Sequence, residues 1–213
     1  MAKFGRKTYG GDRPVCTNQP VMVAGGFNLD LSVHSFDAGA IIPAGTLAVY
    51  DESSRTVKVL KTGKVKAIGS DTKEVTLESS MFLKPVFKTG DKVLKTVSGT
   101  LENAPSISKI EVTNGEYIIT LSDAISGLAV GDVIVQVVAD ATTPTNAALI
   151  GTPSAVVIVD TEVNESSVET GIDISVDSGN GAWYARRIPA IPAGMVENNH
   201  LKANPNIKFT QSF

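Results

Sequence analysis

The stretch IIPAGTLAVYDESSRTVKV, residues 41–59, predicts two β-strands joined by a turn. Residues 46–50 and 56–59 are rich in residues that favour strands, whereas the Asp-Glu-Ser-Ser run between them consists of turn formers. The apolar positions of this hairpin supply a core and the polar positions supply a surface. No side chain in the stretch indicates catalysis.

The composition extends this interpretation to the whole chain. The sequence has 19 Gly and 10 Pro scattered between short apolar runs rich in Val, Thr and Ile, and few segments have a helical period. A chain of 213 residues can bury the core of one large β domain or of two small ones. The sequence therefore predicts an all-β fold, with a small β-barrel or sandwich body, an inserted β module and extended N- and C-terminal arms.

Charge is unevenly distributed along the chain. The net charge of -3 argues against a general nucleic-acid binder, because neutralising phosphates requires a dense basic surface. Residues 55–95 nevertheless carry ten basic side chains against four acidic ones, and residues 101–180 carry one against twelve. The basic half could face an acidic partner or the acidic half of the same chain. Charged strand faces that only maintain solubility explain the pattern equally well.

The chain shows no signal for a membrane or an oxidising compartment. Cys16 is the single cysteine, so an internal disulfide is excluded. No apolar run approaches the roughly 18 to 20 residues of a membrane span, and the first eleven residues lack an apolar signal core. We therefore expect a protein made in the cytoplasm that contacts neither membrane nor nucleic acid.

Both ends of the chain are typical of arms that order against a partner. Residues 1–20 combine basic side chains with Gly, Thr, Asn and Pro, and residues 196–213 are rich in Asn but end with apolar side chains. The candidate contact residues in the two arms are Lys3, Arg6, Lys7, Arg13, Phe209 and Phe213.

An internal repeat indicates the domain organisation. Residues 72–95 and 115–137 share the order strand, Thr-Leu, spacer, Gly-Asp, strand, with the turns at Gly90-Asp91 and Gly131-Asp132. Glycine tolerates positive φ at such a turn, and the following Asp accepts hydrogen bonds from nearby amides. The predicted organisation is an N-terminal arm (1–20), an outer β domain (21–60 plus 143–195), an inserted β module of two related units (61–142) and a C-terminal tail (196–213).

The sequence contains no recognisable catalytic or metal-binding motif. His34 and His200 are the two histidines, and neither has Cys, His or carboxylate neighbours at metal-ligand spacing. The nucleophile-elbow, Walker and dinucleotide glycine patterns are absent. DISVDSGNGAW, residues 173–183, lacks the alternating acidic ligands of a calcium loop and predicts a hairpin turn. We expect a protein that is not an enzyme and has no cofactor or metal.

The densest group of interaction-capable side chains follows this turn. Trp183, Tyr184, Arg186 and Arg187 are of the types that most often anchor protein interfaces, although Trp183 at a strand start fits a core position equally well. The IPAIPAG segment behind them, residues 188–194, lacks two amide donors and is expected to run extended along the surface. These four side chains join the arm residues as the candidate capsid or subunit interface.

The order of these segments resembles tailed-phage head decoration, auxiliary capsid and head fibre proteins. The resembling segments are IPAGTLAVYDESSRTVKV, NAALIGTPSAVVI and VETGIDISVDSGNGAWYARRIP, all outside the inserted module. The resemblance implies a virion structural protein on the capsid exterior, a major capsid protein as its partner, and a homotrimer.

Two other functions remain open at this stage. One is a carbohydrate- or host-surface-binding β module displayed on the virion, in which Phe82, Phe87 and Tyr117 of the inserted module would contact a host-surface glycan. The other is a fragment of a β-solenoid enzyme, which the lack of a catalytic cluster disfavours.

Overall fold

The computed structural model describes residues 14–23, 26–32, 35–80, 82–164 and 169–211, and across them the chain forms strands and turns with no helix. The predicted all-β class is confirmed, and a sandwich-like body fits the layers, whereas no sheet of the described residues closes into a barrel. The strands are β1 (Val21–Met22), β2 (Phe27–Leu29), β3 (Ile41–Ile42), β4 (Leu47–Asp51), β5 (Thr56–Val59), β6 (Thr62–Ile68), β7 (Glu74–Leu77), β8 (Lys92–Leu94), β9 (Ile107–Thr113), β10 (Glu116–Leu121), β11 (Val133–Ala139), β12 (Ala147–Ala148), β13 (Ala155–Val157), β14 (Thr161–Glu162), β15 (Gly171–Ile172), β16 (Ile174–Asp177), β17 (Trp183–Tyr184), β18 (Val196–Glu197), β19 (His200–Leu201) and β20 (Asn204–Thr210).

The first large sheet has the order β1-β16-β13-β4-β5-β2-β15. At its centre lies the hairpin predicted from residues 41–59, with β4 and β5 paired antiparallel from Ala48–Val59 to Asp51–Thr56. The other neighbours are also antiparallel, except that β2 and β5 run parallel. Strands from both sides of residues 61–142 therefore build one sheet.

The second large sheet has the order β12-β11-β6-β7-β10-β9, and β8 also pairs with β11. Its strands lie between Thr62 and Ala148, compared with the predicted module limits of 61 and 142. The chain extends this sheet past residue 142 because it folds back onto β11, where Ala147 lies opposite Ala139.

The two copies of the internal repeat form matching turns, and their strands pair with each other. Gly90 and Gly131 have φ of +95° and +93°. Each following Asp accepts the amide three residues before it, at 2.8 Å for Asp91 and 2.7 Å for Asp132. Because β7 pairs with β10 and β8 pairs with β11, each unit contributes strands to the other. The repeat thus builds one continuous sheet.

The expected C-terminal tail, residues 196–213, is folded over most of its length. Strands β17, β20, β19 and β18 form a four-stranded sheet in that order. Alternation along β20 turns Ile207 and Phe209 inward, at 0% and 5% exposure. Near the other terminus, residues 15–17 lie beside residues 182–184, so the described part of the predicted arm 1–20 is attached to the body.

Three apolar clusters form the interior. One lies on the first large sheet and a second on the second large sheet. The third contains side chains from both large sheets and from the C-terminal strands: Leu47, Leu60, Val135, Val156, Trp183, Ile188, Leu201, Ile207 and Phe209. This third core joins the two sheets.

The Gly45 backbone is packed closely against the Ile188 side chain. Gly45 has φ of +91°, and a Cβ there would lie 2.1 Å from Ile188 Cγ2, whereas Gly90 has similar φ and open space. Gly90→Ala should cost about 1 to 2 kcal/mol of unfolding free energy through backbone strain. Gly45→Ala should cost about 1 to 3 kcal/mol more through overpacking. Equal losses in urea unfolding would contradict the close packing.

Asp51 holds the turn between β4 and β5. Its Oδ1 accepts the Ser53 hydroxyl at 2.6 Å and the Ser53 amide at 2.8 Å. Hydrogen bonds from the Ser53 and Ser54 side chains, and to a lesser extent from the backbone amides of the same two residues, lower the pKa of Asp51 to about 2. Because this folded pKa lies below the unfolded value of 3.8, the carboxylate stabilises the fold above about pH 4.

We expect this contribution to disappear as the pH falls from about 4 to about 2, where the carboxylate is protonated in the folded state. Asp51→Asn keeps a turn acceptor but removes the charge, so its unfolding free energy should fall less over that pH interval than that of the wild type. Urea unfolding at a series of pH values measures the difference. Identical pH profiles would show that Asp51 does not carry this effect.

Candidate functional site

Strand β17 separates Trp183 from Tyr184 by placing them on opposite faces. Trp183 has 0% exposure, pairs with Phe209 of β20 and forms a β-bridge with Cys16 on its other side. The buried indole therefore anchors the strand in the third core. Tyr184 is half-buried and lies at the surface next to the turn that follows.

The start of the described chain lies beside this strand. The Tyr184 amide donates to the Val15 carbonyl at 2.9 Å, and the Thr17 amide donates to the Ala182 carbonyl at 2.9 Å. Arg187 Nη1 donates to the Pro14 carbonyl at 3.1 Å. Residue 14 is thus fixed against residues 184–187.

The turn after β17 presents the two arginines. The Arg187 amide donates to the Tyr184 carbonyl at 2.8 Å, and the Arg187 guanidinium carbon lies 4.8 Å from the Tyr184 ring centroid. This cation–π contact positions the guanidinium over the ring. Arg186 is exposed. We call Pro14, Tyr184, Arg186 and Arg187 the docking surface.

A cleft of about 790 Å³ adjoins the docking surface and shares Arg186 with it. The proline-containing segment 188–194 forms one wall. Gly63 and Lys64 of β6, together with Lys84 from the segment between β7 and β8, contribute to the other wall. Ile188 is buried at 3% exposure, which fixes this segment against the body. The cleft therefore lies between the C-terminal layer and the second large sheet.

The ten predicted interface residues separate into three groups. Tyr184, Arg186 and Arg187 lie together at the surface. Trp183 and Phe209 are packed in the third core, as the sequence allowed for Trp183, and have almost no surface to offer a partner in this conformation. The remaining five lie outside the described residues: Lys3, Arg6, Lys7, Arg13 and Phe213.

A buried ion pair that the sequence analysis missed connects the two large sheets. Lys61 has 0% exposure, and its Nζ lies 2.8 Å from Asp91 Oδ2. The same Nζ donates to the Ser35 carbonyl at 2.5 Å and lies 4.4 Å from the Phe36 ring centroid. The ammonium is therefore enclosed by partners from several segments.

Asp91 is equally well satisfied. Its Oδ1 accepts Gln136 Nε2 at 2.9 Å, and its Oδ2 also accepts the Lys88 amide at 2.8 Å. Burial lowers the pKa of Lys61, and the charge of Asp91 opposes that shift. Burial and the same carboxylate raise the pKa of Tyr117, whose hydroxyl donates to the Phe87 carbonyl. The sequence signal for this network was Gln136, a polar residue within the apolar run VIVQVV.

The charge asymmetry of the sequence is partly balanced within the second large sheet. Three lysines of the basic stretch pair with carboxylates of the acidic stretch: Lys66 with Glu116 at 2.6 Å, Lys73 with Asp123 at 3.4 Å and Lys95 with Asp132 at 2.8 Å. The basic half therefore faces the acidic half of the same chain at these positions.

Metal sites, membrane-spanning helices and the two histidines were the other features that the sequence raised. Within the described ranges, no group of three or more His, Cys, Asp or Glu could hold a metal ion. The same ranges contain no helix that is long and apolar enough to cross a bilayer. His34 lies outside them, and His200 Nδ1 lies 2.6 Å from the Pro205 carbonyl oxygen.

Comparison with known proteins found no match to a family model, to a curated protein or to a solved structure.

The buried pair generates a test by double-mutant cycle. Asp91→Ala should cost about 3 to 5 kcal/mol of unfolding free energy, because it leaves the Lys61 ammonium buried without a counter-charge. Adding Lys61→Met to the Asp91→Ala variant should cost much less unfolding free energy than Lys61→Met costs in the wild type. Urea unfolding of the four proteins gives the coupling energy.

The matched control is the exposed pair Lys64–Glu78, whose Nζ–Oε1 distance is also 2.8 Å. Its coupling should stay below about 1 kcal/mol because water screens it. If the two pairs gave equal coupling, burial would not be what makes the Lys61–Asp91 contact important.

Proposed function

We propose that this chain is a virion structural protein of a tailed phage, which binds the capsid exterior as a decoration (cement), auxiliary capsid or head fibre protein. One observation carries the proposal. The predicted N-terminal arm and the Tyr184, Arg186 and Arg187 cluster, far apart in sequence, meet at one surface through the contacts of Pro14 and Val15.

The mechanism is attachment of a rigid β body through the docking surface and the basic segment that precedes Pro14. Tyr and Arg are frequent anchors of protein interfaces because they combine large contact area with directional hydrogen bonds. A protein that binds the assembled shell, but not free subunits, stabilises the shell by its binding free energy. The partner proposed is the major capsid protein, and the proposed copy number is a homotrimer.

Production in the host cytoplasm and residence on the virion are parts of the same proposal. The alternative of a displayed carbohydrate- or host-surface-binding module receives less support. Phe87 and Tyr117 are packed in the second core at 4% and 6% exposure, so their rings offer little stacking surface to a glycan. Phe82 is half-buried, so among these three aromatic residues its ring is the one with appreciable accessible surface.

Co-sedimentation with empty heads, assembled from the major capsid protein of the same genome, tests the proposal. Deleting residues 1–13 should reduce the bound fraction severalfold while keeping residues 14–17, which are bonded to the body. Arg186→Glu/Arg187→Glu should act in the same direction. The control Lys66→Glu/Lys73→Glu reverses one charge on β6 and one directly before β7, and it should bind like the wild type.

Head binding that survives both the deletion and the arginine reversal would overturn this docking surface. A wild-type protein that ignores heads but binds saturably to a glycan array would favour the alternative function. Light scattering of the wild type measures the copy number, and a mass that is not a multiple of three chains would remove the trimer from the proposal.

A further inference from the structure

Strand β9 is a long sheet edge, whereas the other edges of the described sheets are short. It has seven residues and ends the second large sheet. The other terminal strands of the described sheets are β8, which has three residues and pairs with β11, and seven strands of two residues each: β1, β3, β12, β14, β15, β17 and β18. Short edges prevent one sheet from pairing with another, so β9 lacks a protection that its counterparts have.

The open part of β9 begins after Ile107. The Ile107 amide donates to the Asp91 carbonyl, and its own carbonyl accepts the Gly90 amide, both at 2.8 Å. The register then shifts, with Ile107 opposite Leu121 and Lys109 opposite Thr120. This bulge lies N-terminal to Lys109 and leaves residues 109–113 in regular pairing with β10.

Backbone alternation identifies the groups at the open edge. The Leu121 amide donates to the Lys73 carbonyl, so Leu121, Ile119 and Tyr117 direct their main-chain groups away from β9. The intervening residues of β10 bond to Lys109, Glu111 and Thr113. Ile110 and Val112 consequently present their amides and carbonyls to the open edge.

The side chains of this edge divide by face. Ile110 packs on the second core, and Val112, on the same face, is 58% exposed. Lys109 and Glu111 stand on the opposite face, where their Nζ and Oε1 atoms lie 2.7 Å apart. The edge therefore carries one exposed apolar side chain and two opposite charges, spaced symmetrically about Ile110.

We propose that residues 108–112 of β9 pair antiparallel with the same residues of a second copy of this chain, about a twofold axis at Ile110. In this register Ile110 lies opposite Ile110 of the second copy, and the two exchange amide–carbonyl hydrogen bonds. Lys109 lies opposite Glu111 of the second copy, and the reverse pair forms across the axis. Each such pair occupies the position where facing side chains approach most closely.

Charge selects this register over its neighbours. An axis at Glu111 would place two carboxylates opposite each other, and an axis at Lys109 would place two ammonium groups opposite each other. The register at Ile110 also brings Val112 diagonal to Ile110 of the second copy, which covers exposed apolar surface. The self-complementarity of Lys-Ile-Glu is thus the feature that specifies a second copy as the occupant.

Sedimentation velocity over a concentration series, with no phage heads present, tests the pairing independently of the virion role. Lys109→Glu and Glu111→Lys should each raise the dissociation constant of the twofold contact about tenfold, because each creates two like-charge pairs. The double variant Lys109→Glu/Glu111→Lys restores both pairs and should bind like the wild type. Failure of the double variant to restore association would overturn the proposal.

Cysteine cross-linking fixes the register. In a Cys16→Ser background, Ile110→Cys should form a disulfide-linked dimer on mild oxidation, since facing residues of a hydrogen-bonded pair have Cα atoms about 5.5 Å apart. Val112→Cys is more exposed but lies four positions from its own copy across the axis, so it should link poorly. Preferential linking at Val112, or a wild type that stays monomeric at high concentration, would refute the contact.

Discussion

The buried ion pair between Lys61 and Asp91 is the interaction on which the arrangement of the two large sheets depends. Lys61 stands between β5 and β6, at the point where the chain leaves the first sheet for the second. It binds Ser35 and Phe36 on the side of the first core and Asp91 on the side of the second. Because an unpaired charge is costly in a dry interior, the ammonium retains both sets of partners together.

The third core and the docking surface follow from that arrangement. Leu47 and Val156 of one sheet and Val135 of the other pack in the same apolar cluster as Trp183. A large buried indole leaves little freedom to the strand that carries it. The next residues, from Tyr184 onward, are therefore presented in a defined direction, and the bonded residues 14–17 fix the start of the described chain beside them.

Local signals allowed much of the fold to be predicted from the sequence. The hairpin of residues 46–59 and the turns at Gly90-Asp91 and Gly131-Asp132 depend on neighbouring residues, and the structure forms each of them. The composition also gave the all-β class. These features need no knowledge of distant contacts, because strand formers, turn formers and positive-φ glycines act locally.

Features that depend on distant contacts escaped prediction. The composition of residues 196–213 indicated an arm that orders against a partner, whereas Ile207 and Phe209 pack beside Trp183 of the same chain. Lys61 resembles any surface lysine in sequence, and its role depends on Asp91 and Gln136. Of the candidate interface, only the surface position of Tyr184, Arg186 and Arg187 emerges among the described residues.

The connectivity of the first sheet also imposes an order on synthesis. Ala48 of β4 pairs with Ala155 of β13, and the whole second sheet lies between them in the chain. On the ribosome, the β4–β5 hairpin emerges early but must wait for its remaining neighbours until residues 62–148 have been made. Such a long-range pairing is slow to close, and the intervening strands have local partners available sooner. The nascent chain should therefore acquire its second sheet first and complete the earlier-encoded sheet afterwards.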